Sequence, residues 1–541
     1  MLSLGDMLKA GTRHLNGKNE AVLQNIEAVK NLSEITRTSL GPHGMNKMIV
    51  NHLEKLFVTN DAATILKELD VMHPAAKIAV LSAHMQEQEI GDGTNFVLIL
   101  IGELLQKAET LIHKGLHTSE VIAGYTAAGR KSAELLEGMS VLTIEDPRDP
   151  EAIAKILRSV ITAKQFGYED LLAPIIAKAC IAVLPKNAKS FNTDNVRVAK
   201  ILGGGVFDTT VIKGQVITRD SETSVKKAYK AKIAVFSAGI ENAKTETKDT
   251  VMIKDAESLI NYSKTEEAAI EDVIKKVHEA GVTVIISGGA VSEMAMHYIE
   301  RYGIMCVKVL SKFDLRRVCK AVGATALVRL GAPTAEETGY CDSVTVEEIG
   351  STKVTIFRQD TTDSGISTIV VRAATQNILD DVERAIDRLS LFLDDGVNVY
   401  KGVVRDGRFV AGAAAAEIAL ARALGQYADS TPGLTQHAIR RYAEAFQVIP
   451  RTISENAGMK ATDIISSLYA AHQKGDKNTG IDIENGVADA TELGVFDHLV
   501  AKQNAIRLAT DAAVTILRVD QIIMSKPAGG PKPPQQGARD A

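Results

Sequence analysis

The chain has 541 residues, of which 45% are hydrophobic and 24% charged, as is typical of a soluble globular protein. This length predicts about two to four domains, because one hydrophobic core stops growing at about 250–300 residues. A net charge of −5, the absence of tryptophan and an aromatic content of 4% argue against a basic or base-stacking surface for nucleic acid.

The cysteines and the apolar segments indicate the cellular compartment. Cys180, Cys306, Cys319 and Cys341 show no CxxC spacing, which favours free thiols in a reducing compartment over a zinc site. The N-terminus lacks a signal-peptide pattern, and no segment approaches the roughly 20 apolar residues that a membrane helix needs. We therefore predict a cytoplasmic protein with neither a membrane nor a nucleic-acid partner.

The N-terminal quarter of the chain is predicted to be mostly helical. Apolar residues recur at helical spacing in three segments, which are 21–40, 95–115 and 120–139. Pro147 and Pro150 then mark a boundary, after which a helix resumes.

The middle of the chain changes to strand patterns. Between about 200 and 240, segments rich in β-branched residues are broken by glycines. An alternation follows of strand (282–289), helix (290–303), strand (304–310) and helix (311–324), with further strands across 353–375. This order predicts a small α/β domain with a parallel sheet.

The C-terminal part is predicted to be helical again from about 376 through 508–523, and residues 527–541 form a Pro/Gly-rich, disordered tail. Helical ends thus flank an α/β middle. Either the two ends form one domain into which the middle is inserted, or they form two separate helical domains.

Four short motifs carry candidate chemistry: SLGPHGMNKMI (39–49), VTNDAATILKEL (58–69), EIGDGTNF (89–96) and VAGAAAAEIALARAL (410–424). Taken singly, each is an ordinary turn or helix cap. Together they predict more, because glycine-rich turns that open helices present free N–H groups to phosphate. Aspartates at the same place would repel phosphate unless Mg²⁺ lay between them, so a Mg-nucleotide site is predicted without a Walker A motif.

These motifs, in this order, resemble those of the group II chaperonins, and the resemblance runs from about residue 10 to 526. It implies a multidomain fold of the α+β and α/β classes: a mainly helical equatorial domain from both chain ends, a small intermediate hinge domain, and an inserted α/β apical domain with a helical protrusion. The implied boundaries are 1–142 equatorial, 143–210 intermediate, 211–368 apical, 369–406 intermediate and 407–526 equatorial.

The resemblance also implies a function. The chain would bind and hydrolyse ATP with Mg²⁺, as one of several paralogous subunits in a double ring that closes a chamber around non-native proteins such as actin and tubulin. Substrate would bind apical helices around 290–301 and 312–320, and residues 241–265 match the protrusion.

Site residues carry over from the family's motifs position by position. Asp92 would be the metal ligand, and Asp61 and Asp395 would act in catalysis. The implied nucleotide-binding residues are Leu40, Gly41, Pro42, Gly91, Gly93, Thr94, Asn95, Lys164, Gly412, Gly480, Asp482 and Asp497.

Two departures from the family's pattern affect the nucleotide turns. Ala62 and the pair Ala413-Ala414 stand where glycines are usual, so their Cβ atoms are expected to crowd the ligand. Asn95-Phe96 replace two hydroxyl residues. Asn95 can still donate a hydrogen bond, whereas Phe96 cannot.

The third departure lies in residues 380–402, about seven residues longer than the family's pattern. Counting forward from Glu383-Arg384 leaves Asp387 beside the catalytic position, whereas counting back from Gly412 selects Asp395. The two would lie about 12 Å apart on one helix, so both cannot serve one water molecule. We favour Asp395. The extra residues either bulge from or extend an intermediate-domain helix, or they derive from a gene-model error such as a retained intron.

Three functions therefore compete. The chain is an ATP-hydrolysing chaperonin subunit, or a mainly structural subunit of the same ring that turns nucleotide over weakly. The third candidate is an unrelated Mg-dependent phosphotransferase.

Overall fold

The computed structural model describes residues 13–15, 20–51, 54, 56–164, 167–241, 256–360, 365–386 and 395–524. Asp387 and the predicted tail lie outside these residues, as does much of the segment matched to the protrusion. The helices are α1 Glu20–Arg37, α2 Ala62–Glu68, α3 Pro74–Glu89, α4 Thr94–His113, α5 Thr118–Glu137, α6 Pro150–Thr162, α7 Glu169–Val183, α8 Ala256–Glu279, α9 Glu293–Arg301, α10 Lys312–Val322, α11 Gln376–Ile386, α12 Asp395–Arg405, α13 Ala415–Ser430, α14 Thr435–Ala445, α15 Val448–Asn456, α16 Ala461–Lys474 and α17 Leu499–Leu517.

Short strands separate these helices. They are β1 Arg13–Leu15, β2 Lys47–Val50, β3 Leu56–Thr59, β4 Ser140–Thr143, β5 Val196–Leu202, β6 Thr210–Ile217, β7 Lys227–Phe236, β8 Val284–Ser287, β9 Met305–Lys308, β10 Ala326–Leu327, β11 Gly339–Ile349, β12 Thr352–Arg358, β13 Ser367–Ala373, β14 Arg408–Ala411, β15 Thr479–Asp482, β16 Gly486–Asp489, β17 Phe496–His498 and β18 Ile522–Met524. The described part of the chain is thus the mixed helix-and-sheet structure that the sequence predicts.

The two ends of the chain share one hydrophobic core. Helices α1–α5 pack against α13–α17 around α4, whose residues from Phe96 to Leu105 are nearly all buried. Strand β1 pairs antiparallel with β18, so that Arg13 lies opposite Met524. The structure therefore favours one helical unit built from both ends over two separate ones, while the exact domain boundaries remain predictions.

The middle of the chain forms a mixed nine-stranded sheet, with the order β5-β13-β6-β12-β11-β7-β8-β9 and β10 beside β7. The alternation of strands and helices from 282 to 324 is confirmed. Strands β7, β8, β9 and β10 pair in parallel, with α9 between β8 and β9. The sheet is not wholly parallel, because β11 and β12 form an antiparallel hairpin that joins β7 to β6.

Two local predictions differ from the structure. The helix predicted through 508–523 ends at Leu517, and Ile522–Met524 form β18 because their backbone groups pair with β1. The hairpin of β2 and β3, which pairs Lys47 with Thr59, lies within a segment predicted to be helical. Strands this short carry little periodicity of their own.

A small sheet of β17, β14 and β4 positions the candidate site. Strand β14 leads through residues 412–414 into α13, and β17 leads directly into α17. Both strand-to-helix junctions border one cleft. None of the helices in the described ranges is both long and apolar enough to cross a membrane.

Candidate functional site

A cleft of about 1750 Å³ is lined by both chain ends of the helical unit. An adjoining cleft of about 510 Å³ shares its wall at Asp92. Together they bring together most of the predicted site residues, namely Leu40, Gly41, Pro42, Asp61, Asp92, Gly93, Thr94, Asn95, Lys164, Asp482 and Asp497.

Three predicted glycines lie behind the cleft wall. Gly91 is buried next to Asp92, with a φ of 86°. Gly412 and Gly480 hold two segments in close contact, since a Cβ on Gly480 would lie 2.7 Å from the carbonyl oxygen of Ala413. Asp395 begins α12, and its side chain is outside what the structure describes.

The turn after α1 forms one end of the cleft. Gly41 has a φ of 86°, and Gly44 donates to the carbonyl oxygen of Gly41 at 2.9 Å. The side-chain amide of Asn456, on α15, donates to the carbonyl oxygens of Arg37 and Leu40. The distant helix α15 therefore fixes the turn that the resemblance assigns to phosphate.

Asp61 and Asp92 differ in what their carboxylates do. Asp61 is a helix cap: its Oδ2 accepts from the backbone N–H and the hydroxyl of Thr64, at 3.0 and 2.6 Å. Asp92 caps nothing in α4, since Gly93 is the N-cap residue and Asp92 Oδ1 accepts only from the N–H of Gly93, at 2.7 Å. The N-terminus of α4 is thus open toward the cleft, with its first N–H groups uncapped.

A second open helix N-terminus faces the same cleft. The N-cap residue of α13 is Ala414, which provides no side-chain hydrogen bond. Ala413 and Ala414 have positive φ values of 53° and 63°, a backbone region that L-residues adopt at a cost. Ala62, by contrast, is an ordinary residue in the first turn of α2. Two uncapped helix ends converging on one cleft favour an anionic ligand.

Asn95 is oriented by two donor contacts. Its Nδ2 donates to the carbonyl oxygen of Thr36 at 3.1 Å and to Ser39 Oγ at 3.2 Å. Its Oδ1 is buried and has no hydrogen-bond partner. Asn95 was expected to donate a hydrogen bond, but both donor contacts of its Nδ2 are made within the protein. Only the Oδ1 acceptor remains for a ligand, and an acceptor suits a cation or a bound water.

Lys502, on α17, joins the walls of the cleft. Its Nζ lies 3.0 Å from Asp497 Oδ2, contacts Glu417 Oε1 and sits 4.8 Å from the centre of the Phe96 ring. Burial lowers the pKa of Lys502, but the carboxylates of Asp497 and Glu417 outweigh it, so the pKa is raised overall. Phe96 thus provides the aromatic ring of a cation–π contact with Lys502.

Asp482 borders the cleft on the opposite side. Its Oδ1 accepts from the N–H of Glu484, and its Oδ2 accepts from Asn485 Nδ2, both at 2.9 Å. These hydrogen bonds, that from Glu484 first, lower the pKa of the Asp482 carboxyl. The residue is therefore a fixed anion and an acceptor for a ligand hydroxyl or amine.

The oxygen atoms here fit Mg²⁺ only in combination with phosphate. Asp61 and Asp92 line the smaller cleft together with the orphaned Oδ1 of Asn95. Within the described ranges, no three His, Cys, Asp or Glu side chains gather as a complete metal site. Two carboxylates and an amide oxygen are the hard ligands that Mg²⁺ combines with phosphate oxygens.

Glu417 and Lys502 belong to the site but lie outside the residues predicted from the sequence motifs. Glu417 is the one charged residue in the small-residue run 410–421, and it is only 1% exposed. Lys502 follows Asp497 by five residues, in a helix that is otherwise largely buried. Both residues could have been predicted as functional from one feature of the sequence, which is a charged residue within a mostly apolar helical segment.

Comparison with known proteins identifies a family. The model of the TCP-1/cpn60 chaperonin family matches residues 32–527. The chain is similar to T-complex protein 1 subunit theta of Dictyostelium discoideum, with 59% identity across 100% of both chains. The theta subunit of Homo sapiens is 51% identical over 99% of this chain and 96% of its own length. That of Arabidopsis thaliana is 52% identical over 97% of this chain and 95% of its own length.

Proposed function

Because the chain belongs to the TCP-1/cpn60 chaperonin family, we propose that it is the theta-type subunit of a eukaryotic cytosolic chaperonin and hydrolyses ATP to drive chamber closure and protein folding. The observation that carries the ATPase proposal is the convergence of two uncapped helix N-termini, those of α4 and α13, on one cleft that also holds Asp92. This arrangement suits a polyphosphate accompanied by a cation.

The cleft suggests how the nucleotide lies. The N–H groups at the start of α4 and the turn at Leu40–Pro42 would hold the phosphates, with Lys164 beside them. Asp482 and Asp497 border the far part of the cleft and would accept hydrogen bonds from the sugar or the base. Lys502 fixes the Asp497 carboxylate in place for that contact.

Asp92 would hold Mg²⁺, whose charge offsets that of the phosphates, and Asp61 would act beside it in catalysis. In hydrolysis, the water oxygen bonds to the γ-phosphorus as the bond from that phosphorus to the β,γ-bridging oxygen breaks, giving ADP, phosphate and a proton. We assign the orientation of this water to Asp395. Asp395 begins α12, and residues one turn later on that helix line a cavity with Asp92.

The remaining features of this proposal rest on the family resemblance. The partners would be paralogous subunits in a double ring, and the substrates would be non-native proteins of the actin and tubulin class. The compartment would be the cytoplasm. The matched relatives are named as subunits of T-complex protein 1, which supports assembly with other subunits.

A weakly hydrolysing, mainly structural subunit is the second candidate. Two observations favour it: Asn95 presents an acceptor where a donor would suit phosphate, and the turn before α13 is built from strained alanines. Both would reduce phosphate contacts without removing the cleft.

Single-turnover hydrolysis separates the two candidates. In a reconstituted ring whose other subunits carry inactivating substitutions, the wild-type chain should release phosphate from ATP. Asp395→Ala should slow release by about a hundredfold or more while ATP still binds. Asp463→Ala, at an exposed aspartate of α16, is the matched control and should hydrolyse normally. A wild-type chain that binds ATP without releasing phosphate would favour the structural subunit, and an unchanged Asp395→Ala rate would disprove the assignment.

A further inference from the structure

A second cavity of about 640 Å³ lies beside the nucleotide cleft and is closed by α12. The two share five lining residues, which are Asp92, Val160, Asp497, His498 and Ala501. A ligand held at Asp92 therefore borders both spaces, and α12 forms the wall across from it.

Asn398, on α12, lines this cavity and is only 8% exposed. Its side-chain amide makes no hydrogen bond to another described residue, and its polar atoms are not among those sealed from solvent without a partner, so they face the cavity. Buried polar groups in native proteins usually have partners. An amide that lacks one inside a cavity is therefore positioned for a group that arrives later.

His498, which also lines this cavity, is already used by the fold. The Nε2–H of His498 donates to the carbonyl oxygen of Asp406 at 2.8 Å, and its Nδ1 accepts from the N–H of Ala501 at 3.3 Å. Lys401 and Arg405 lie further along α12, and Arg405 is exposed. Asn398 is thus the buried side chain on this wall with both a donor and an acceptor to offer.

Backbone geometry places Asn398 near the reaction. It follows Asp395 by three residues, so the two positions lie on the same side of α12, about 4.5 Å apart along the axis. A water molecule oriented by a residue at position 395 would be within reach of position 398 as well.

We propose that Asn398 is a second residue that positions the attacking water, a role that rests on the hydrolytic function proposed above. Its amide oxygen accepts a hydrogen bond from the water, and its nitrogen donates to a γ-phosphate oxygen. The water oxygen bonds to phosphorus as the bond to the β,γ-bridging oxygen breaks, and the water's proton passes to Asp395. Asn398 itself exchanges no proton.

The test replaces Asn398 by leucine, which has nearly the same shape and no polar atom. In the reconstituted ring with the other subunits inactivated, Asn398→Leu should slow single-turnover phosphate release at saturating ATP by about tenfold or more. The equilibrium affinity for ATP should stay within about twofold of wild type. Without nucleotide, the thermal unfolding temperature should stay close to that of wild type, because no hydrogen bond to another described residue is removed.

Two further variants complete the test. Asn398→Ser keeps a donor and an acceptor and should recover part of the lost rate. Asn187→Leu, the same replacement at an exposed asparagine outside the cavity, should leave the rate unchanged. If Asn398→Leu hydrolysed ATP at the wild-type rate, or if it lowered the unfolding temperature and weakened ATP binding together, the water-positioning role would be wrong. A wild-type chain that releases no phosphate would overturn the hydrolytic function as well, so the two failures are distinguishable.

Discussion

Two turns enclose the nucleotide cleft, and each leads into a helix through residues with positive φ, but the residue types differ. Gly91-Asp92-Gly93 leads into α4 with φ values of 86° and 81° at its glycines. Gly412-Ala413-Ala414 leads into α13, and there the positive φ values fall on alanines. Both helices start uncapped and face the same space.

The difference shows that a left-handed backbone conformation can be kept by alanine where glycine would be preferred. A residue other than glycine in the left-handed region costs about 1–2 kcal/mol. The alanine turn is held by its neighbours: the N–H of Ile481 donates to the carbonyl oxygen of Ala413, and that of Gly412 donates to Val495, at 2.8 and 3.0 Å. The glycine turn carries no such strain, and a side-chain hydrogen bond, from Gln86 Nε2 to the carbonyl oxygen of Asp92 at 2.8 Å, holds it.

The largest expected effect comes from removing the residue that links the two turns. Lys502 contacts Glu417, three residues after Ala414, and the ring of Phe96, three residues after Gly93. Lys502→Met should lower the free energy of unfolding by about 3–5 kcal/mol, because it leaves the buried Glu417 carboxylate unpaired. Denaturant unfolding of the purified chain measures this loss.

Two controls accompany the lysine variant. Lys474→Met, at an exposed lysine of α16, should change stability by less than about 0.5 kcal/mol. Adding Glu417→Met to Lys502→Met should recover most of the loss, because both buried charges are then absent. A single variant within about 1 kcal/mol of wild type would show that the turns are not coupled through Lys502.

A methyl group added to the glycine turn should destabilise it. At Gly93 a Cβ would lie 3.3 Å from Gln86 Nε2, and the φ of 81° disfavours any L-residue. Gly93→Ala should cost about 1–2 kcal/mol and weaken ATP binding. Gly425→Ala is the matched control: this glycine lies within α13 with no atom near its missing Cβ, so the variant should gain up to about 1 kcal/mol.

The reverse change should stabilise the alanine turn. Ala414→Gly relieves the left-handed strain, although the added freedom of glycine in the unfolded chain and the loss of the buried Ala414 methyl group offset much of the gain, leaving at most about 0.5 kcal/mol. Hydrogen exchange of the turn in the assembled complex should slow accordingly. Ala415→Gly, in the first turn of α13, should instead lose up to about 1 kcal/mol. If Ala414→Gly exchanged faster than wild type, the strain argument would fail.

The sequence predicted the helices and the order of the fold because long helices carry strong periodicity. The segment 95–115 became α4, at Thr94–His113, within two residues at each end. The strand pairs β2–β3 and β1–β18 were not predicted from the sequence. A strand of three or four residues is defined by its partner rather than by its own pattern.

The site was predictable where motifs carry their own geometry. EIGDGTNF places two glycines at positive φ around Asp92, and the structure has both. The direction of the Asn95 amide could not be predicted, since it depends on the carbonyl oxygen of Thr36 and the hydroxyl of Ser39, across the turn. The network of Lys502 likewise joins residues that are 85 and 5 positions apart in the chain.

The smallest expected effect is a pH dependence of stability that differs between the two turns. Strand β15, which backs the alanine turn, is held by His472, whose Nε2–H donates to the carbonyl oxygen of Thr479 at 2.8 Å. The glycine turn is held by Gln86, whose Nε2 donates to the carbonyl oxygen of Asp92 and does not titrate. Burial is the main cause that lowers the pKa of His472, so the native state keeps this imidazole neutral.

As pH falls below about 6.5, the unfolded chain therefore takes up a proton that the native chain does not, and stability declines until the lowered native pKa is reached. His472→Gln keeps a donor for Thr479 and should reduce proton uptake on unfolding by at most about one proton per chain, seen as a shallower slope of unfolding free energy against pH. His437→Gln, at an exposed histidine, should leave the slope unchanged. On acidification of wild type, hydrogen exchange should rise in β15 before it rises around Gly91–Gly93. Equal rises at both turns would mean that His472 does not distinguish them.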